Sequence, residues 1–532
     1  MHRQLFWLTG VLLVACSRAP APAPAPETPQ QQPAARFAPE DVAVSQLQAA
    51  MAEGRLSARD LVELYRARIA ALDDAGPRLN AVIELNPDAL AEAERLDAER
   101  AAGQVRGPLH GIPVLLKDNI DATGMATSAG SLALAGHRPT RDAHLVARLR
   151  ESGAIVLGKA NLSEWANFRS TRSASGWSAV GGQTRNPYIL DRSPCGSSSG
   201  SAVAVAAGLA PLAVGTETNG SILCPAAVNG VVGIKPTVGL VSRHGIVPIS
   251  PAQDTAGPMA QRVADAAALL NGLAGADTRD EATSSATGHI HDDYTVFLDP
   301  DGLRGARIGV MRKAMGFHDG VDQVMEAAIS ALRAAGAEIV DPADLSTHGQ
   351  FGRPSFDALL HEFRPALEAY LHESGAPVRT LDALMEFNRD NAGRQMSWFG
   401  QELFEMAAEK GPLTDPAYRR AREQARRLAG PRGIDATIAR HRLDALLTTA
   451  VSPAWTVDPV NGDHFRGAGY SAAAVAGYPS VTVPAGQVHG LPVGIVFMGP
   501  AWSEPRLIAI AYAFERATQA RRPPGLRSTL LE

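Results

Sequence analysis

The chain has 532 residues, 45% hydrophobic and 5% aromatic, which suffices for a large buried core and excludes disorder as its main state. A formal charge of −5 and a pI near 6.3 leave no basic surplus for binding nucleic acid. Three cysteines, Cys16, Cys195 and Cys224, exclude a disulfide scaffold, and no His/Cys cluster has zinc spacing, so neither metal nor cofactor is expected.

In chain order, the first feature is a basic start, Met1–Arg3, followed by an apolar run over 5–15. That run has signal-peptide length and is too short to span a membrane as a helix. It ends in Leu13-Val14-Ala15-Cys16, which resembles a bacterial lipobox, where cleavage precedes the cysteine and the thiol carries lipid. The alternative is an ordinary signal peptide with Cys16 near the cut by chance. Residues 19–35 are rich in Ala, Pro and Gln, and proline makes such a stretch a stiff, extended tether. The expected organisation is a signal peptide over 1–15, a tether over 16–40 and one large domain over 41–532. The expected location is the bacterial envelope, facing the periplasm. Ser17, rather than Asp, after Cys16 favours the outer membrane by the sorting pattern it resembles.

Val44, Leu47, Met51, Leu61, Leu64, Ile69 and Leu72 recur at helical spacing and predict a helix over 41–72. Further helices are predicted over 89–102, 142–152, 201–209 and 263–274. Strands are predicted over 111–116, 154–157, 212–215 and 308–310. This alternation argues for an α/β fold with a mixed, mostly parallel central sheet covered by helices on both faces. Residues 351–427, rich in Leu, Glu, Arg and aromatics, read as a helical excursion that could roof a site. Strands return over 445–449, 480–484 and 493–498.

Three segments carry chemistry. Lys117 ends an apolar strand, Leu115-Leu116-Lys117, in a chain with only five lysines. A buried lysine loses preference for its charged form and becomes a base, whereas one at a strand end can also reach the surface. Gly196-Ser197-Ser198-Ser199-Gly200 precedes an Ala-rich helix and offers hydroxyls and N–H groups at a positive helix end. Thr216-Glu217-Thr218-Asn219-Gly220-Ser221 follows a strand and presents another serine. Each alone also fits a plain turn; a lysine with two serine turns is harder to dismiss.

Together, and in this order, these segments resemble the amidase signature family. Gly107–Pro113, Thr127–Ser131, Gly158–Glu164, Asp254–Met259 and Ala476–Ser480 also match, so the resemblance spans residues 43–518. Within the family, Trp165-Ala166-Asn167-Phe168, Ser193-Pro194-Cys195 and Ile222-Leu223-Cys224-Pro225 are similar to bacterial peptide amidases. The resemblance implies a serine amidohydrolase: Ser221 as nucleophile, Ser197 as bridging serine after a cis peptide bond, and Lys117 as base. It implies an oxyanion hole from the N–H groups of Thr218, Asn219, Gly220 and Ser221. Trp165, Phe168 and Ser198 are weaker candidates for substrate contact. Two positions depart from the family pattern: Asn219 stands where Gly is frequent, and Leu223 where Arg is. Asn tolerates unusual φ, so the turn can survive. Without the Arg, no clamp awaits a substrate carboxylate there.

The expected reaction is hydrolysis of a carboxamide to acid and ammonia, with C-terminal peptide amides the best substrate. The expected partners are that small amide or amidated peptide and a membrane through a lipid anchor, with no nucleic acid and no second copy. A broad aryl or acyl amidase is an alternative. So are the glutaminase subunit that amidates charged tRNA, disfavoured by the export signal, and a lipid-anchored binding protein without turnover. Gly196–Gly200 also fits the G-x-S-x-G elbow, but no strand precedes it. Gly153–Lys159 nearly fits a P-loop, but its middle is apolar and Ala160 offers magnesium no hydroxyl. Cys195 and Cys224 either pair, in an oxidising compartment, or serve as small buried fillers.

Overall fold

The computed structural model describes residues 41–531, all within one compact unit. The signal peptide, the tether and Cys16 fall outside the described residues. Eleven strands form the central sheet, and two short ones pair apart from it. In chain order the strands are β1 (Val82–Leu85), β2 (Pro113–Lys117), β3 (Ile155–Ala160), the separate pair β4 (Trp177–Ser178) and β5 (Gly182–Gln183), and β6 (Leu212–Glu217). There follow β7 (Val232–Lys235), β8 (Thr255–Ala260), β9 (Arg307–Val310), β10 (Glu338–Val340), β11 (Ala445–Thr449), β12 (Ser480–Val488) and β13 (Leu491–Met498).

The spatial order is β1-β3-β2-β6-β8-β7-β12-β13-β11-β9-β10. Two parallel blocks, β3-β2-β6 and β11-β9-β10, flank a centre of antiparallel pairs. Every side chain of β2, β3, β6, β7, β8, β11 and β13 is buried. Successive strand residues point to opposite faces, so both faces of the sheet are covered, as the alternation of helix and strand signals implies. β8 escaped the sequence reading because Gly257 and Pro258 interrupt it, yet Val214 faces Pro258 across the ladder.

The single helix expected over 41–72 is two, Val44–Ala52 and Ala58–Ile69. Gly54 at φ 69° ends the first. Ser57 and Asp60 form a reciprocal capping box that starts the second. No strand lies between β10 and β11; that stretch holds the helices Gly352–Glu373, Leu381–Asp390, Glu402–Ala408 and Pro416–Ala429. Leu359, Phe363 and Phe404 of these helices pack in one cluster with Trp165, Phe168 and Ile249, beside the ends of β2 and β6.

Candidate active site

Lys117 closes β2 with its side chain fully buried, so it does not reach the surface. Its Nζ lies 2.7 Å from Ser197 Oγ, 2.8 Å from Thr216 Oγ1 and 3.2 Å from the Thr216 carbonyl. Burial pushes Lys117 down to about 7, against the opposing pull of Asp254 and Glu217. A neutral amine has two N–H groups and one lone pair. With Thr216 taking the N–H groups, the lone pair is left for the Ser197 hydroxyl. Asn119 Nδ2 also donates to Thr216 Oγ1, at 3.1 Å, and fixes its place.

Ser197 follows a cis Gly196–Ser197 bond, as the family resemblance implies, just before the helix Ser199–Ala206. The serines around it hold the loop. Ser198 Oγ donates to the Thr216 carbonyl at 3.0 Å and accepts the Thr216 N–H at 3.1 Å. The Ser198 N–H donates to the Ser221 carbonyl at 3.1 Å, which seats the two serine turns side by side. Ser198 is therefore no substrate contact: it is fully buried and its hydroxyl serves the end of β6.

The second turn, Thr218 to Ser221, runs from β6 to the helix Leu223–Val228. Buried Glu217 folds it back, its Oε2 accepting the N–H groups of Ile222 at 2.8 Å and Leu223 at 3.1 Å. Burial holds the Glu217 carboxyl above the usual range, with Lys235 opposing; Lys235, buried too, is pushed down to about 8. Thr218 Oγ1 donates to Asp254 Oδ1 at 2.5 Å, and Asp254 Oδ2 accepts the N–H groups of Ile249 and Ser250 at 2.7 and 2.8 Å. Burial pushes Asp254 up to about 6. The left-handed position of the turn is Gly220, φ 85°, and not Asn219. Tyr470 backs it so closely that a Cβ on Gly220 would lie 2.2 Å from the ring. Asn219 thus replaces glycine where no unusual φ is needed.

Cys195 and Cys224 form a disulfide with Cα atoms 6.0 Å apart. It joins the residue two before Ser197 to the residue three after Ser221. Ser221 opens onto a cleft of about 270 Å³ lined by Phe168, Ser175, Trp455, Asp463, Phe465 and Tyr470, among others. Asp463 accepts from Ser175 Oγ at 2.5 Å and from Trp455 Nε1 at 3.0 Å, and burial holds its carboxyl above the usual range. Of the two aromatic candidates, Phe168 lines the cleft. Trp165 does not: it is buried edge-on against Phe404, ring centroids 5.8 Å apart.

The sequence reading missed four residues of this site. Thr216 and Glu217 stood inside a quoted motif, and Asp254 opened another, without a role. Asp463 carried no signal at all.

Comparison with known proteins agrees with this fold. The family model described as Amidase matches residues 60–508. The crystal structure of native peptide amidase from Stenotrophomonas maltophilia superposes with a TM-score of 0.88 at 58% identity, covering 91% of this chain and 99% of that one. A probable amidase of Arabidopsis thaliana is 42% identical over 502 residues, 92% of each chain. A component of the glutamyl-tRNA(Gln) amidotransferase of Symbiobacterium thermophilum is 37% identical over 88% of this chain and 94% of its own. Fold and match define a hydrolase of carbon–nitrogen bonds, an amidase. The chain belongs to the amidase signature family.

Proposed function

We propose that this amidase cleaves the C-terminal amide of peptides through an acyl-enzyme on Ser221. The observation that carries the proposal is the 2.7 Å contact between Lys117 Nζ and Ser197 Oγ, both fully buried, in a loop tied to Ser221. An amide carbon is a poor electrophile, so splitting the reaction through a covalent intermediate lowers each barrier. Ser221 Oγ attacks that carbon, and its proton passes by Ser197 to neutral Lys117. The N–H groups of Thr218, Asn219, Gly220 and Ser221 hold the oxyanion. Breaking the C–N bond returns the proton through Ser197 to nitrogen, and ammonia leaves. Water then attacks the acyl carbon by the same proton route and releases the acid.

Two features support a peptide substrate. Four aromatic side chains, Phe168, Trp455, Phe465 and Tyr470, line the cleft, together with the Asp463 carboxylate held by Ser175 and Trp455. The Stenotrophomonas relative is a peptide amidase at 58% identity. Leu223, buried at the position where the family often has Arg, supplies no cation for a dicarboxylic monoamide. The test is ammonia release from a C-terminally amidated dipeptide by the full chain and its Ser221→Ala variant. Release by the parent alone is expected. Release from small aryl amides but not from the dipeptide overturns the substrate class, and equal release by both proteins overturns Ser221.

We further propose that the mature chain is anchored through lipid on Cys16 and works outside the cytoplasm, in the outer membrane. The lipobox-like sequence, the Ala/Pro tether and the Cys195–Cys224 bond support this reading, since disulfides persist in oxidising compartments. It sets the chain apart from a component of a tRNA amidotransferase. Labelled palmitate should enter the parent and not Cys16→Ala; equal labelling overturns the anchor.

A further inference from the structure

The helix Pro416–Ala429 buries Tyr418, Ala421, Ala425, Leu428 and Ala429 and turns Arg419, Arg420, Arg422, Arg426 and Arg427 to solvent, with Glu423 the one carboxylate among them. In a chain of net charge −5 this is a strong local reversal of sign. Arg422 is engaged: its Nε lies 3.7 Å from Glu362 Oε1 and its Nη1 donates to Tyr418 OH at 3.2 Å, and Arg426 acts electrostatically on Tyr478. Arg419, Arg420, Arg426 and Arg427 make no ion pair among the described residues.

The helix walls a groove of about 780 Å³, open to solvent and faced on other sides by Tyr478 and Trp502. Arg419, Arg422, Arg426 and Arg427 line it with two carboxylates, Glu362 and Glu423. Glu362 is buried and already committed, accepting from Tyr418 OH at 2.7 Å, from Ser250 Oγ, and from the Ala252 N–H at 3.3 Å. Four guanidinium groups against two carboxylates leave an excess of two positive charges, the complement of a phosphate dianion. Planar guanidinium forks suit phosphate oxygens better than point charges do. We propose that this groove binds a phosphate-bearing anion, either free or displayed as a lipid headgroup.

The groove also reaches the catalytic turn. Arg422 donates to Tyr418, Tyr418 to Glu362 and Ser250 Oγ to Glu362, while the Ser250 N–H donates to Asp254, which holds Thr218. Gln253, in the groove wall, accepts from Ser355 Oγ at 2.7 Å and donates to the Thr218 carbonyl at 3.1 Å. An anion that draws Arg422 from Tyr418 and Glu362 changes the donors on that chain, and so the seating of Thr218.

The test uses the full chain and its Arg426→Gln/Arg427→Gln double variant, which touches neither the relay to Thr218 nor the cleft. One probe is inorganic phosphate above neutral pH, with chloride at equal ionic strength as reference, read as a saturable rise in Tm. The other is phosphatidylglycerol vesicles, with phosphatidylcholine as reference, read by co-sedimentation with Cys16→Ala in both proteins so that no acyl anchor carries either to the vesicles. A response to phosphate in the parent, lost in the double variant, assigns free phosphate. An arginine-dependent response to phosphatidylglycerol alone assigns the headgroup. No arginine-dependent response to either probe overturns the site. A saturating probe should then change kcat/KM on an amidated dipeptide at least twofold, on the order expected for weak coupling. Binding with unchanged kinetics overturns the link to Thr218. Binding is read without turnover, so its failure is distinct from failure of the peptide-amide assignment.

Discussion

A lysine in water keeps its proton to about pH 10.4, and Lys117 differs by location alone. The apolar strand that carries it removes water, and burial brings it down to about 7 while Asp254 and Glu217 resist. In the proposed mechanism it acts as a base only when neutral, so activity should be lost as pH falls through that value. The pH profile of kcat/KM should show an acid limb of unit slope centred near 7. Since the Asp254 charge raises Lys117, Asp254→Asn should move the limb to lower pH whatever it does to the plateau. A limb that stays in place detaches the profile from Lys117. Ser197→Ala removes the proposed proton bridge and should lower kcat by about 10²–10⁴-fold with KM nearly kept. At this scale the sequence was informative where a residue type stands out against its neighbours: Lys117 on an apolar strand, Ser197 and Ser221 in small-residue turns. Thr216 and Asp254 act through contacts that only the folded chain creates, and Asp463 sits in a loop whose composition resembles any other.

Elements set what those residues can do. The turn after β6 is shaped by Glu217 from within, by Asp254 from β8's approach, and by Tyr470 from behind. Gly220→Ala must place a methyl group inside the Tyr470 ring at φ 85°, so the turn has to move. Displacing an oxyanion donor costs about 10²–10³-fold, and kcat/KM should fall by at least that much with far-UV dichroism unchanged. A variant near parental activity removes Gly220 and its neighbours from the oxyanion hole. The disulfide holds the two serine turns by another route, across a sequence separation of 29. Closing a loop of that length contributes about 3–4 kcal/mol on the chain-entropy model. Cys195→Ala/Cys224→Ala should lose roughly that in urea unfolding, and reductant should mimic it in the parent. Most elements were legible from periodicity, because fully buried strands read as short apolar runs. Two departures have a physical reason, Gly257 and Pro258 inside β8, and Gly54 followed by the Ser57–Asp60 box where one helix becomes two, whereas β1, β7, β10 and the helices Asp319–Ala334 and Glu504–Thr518 went unassigned without such a break.

At the scale of the molecule, the two ends of the described chain meet over the helix Val263–Leu273. Asp265 of that helix accepts the Val44 N–H at the start of the first helix, at 3.0 Å. Glu515, on the C-terminal helix Glu504–Thr518, accepts the Val263 N–H at 2.9 Å. Both carboxyls are buried, and burial pushes Asp265 up to about 6 and Glu515 up to about 7, the Asp265 charge adding to the latter. A carboxyl raised on folding stabilises the fold most below its unfolded value, and that contribution is lost as pH rises through the folded one. For Glu515 the window runs from the ordinary 4.5 to about 7. Glu515→Gln keeps an acceptor for Val263 and removes the charge. It should therefore raise stability at pH 8, on the order of 1–3 kcal/mol, and change little at pH 5, where the parent carboxyl is already mostly neutral. Urea unfolding of both proteins at the two pH values checks this. A gain of equal size at both would locate the effect in packing, and no gain at pH 8 would show that Arg262 and Arg521 neutralise Glu515 as fast as burial penalises it, so that the join between the chain's ends runs on ion pairs and not on a shared proton.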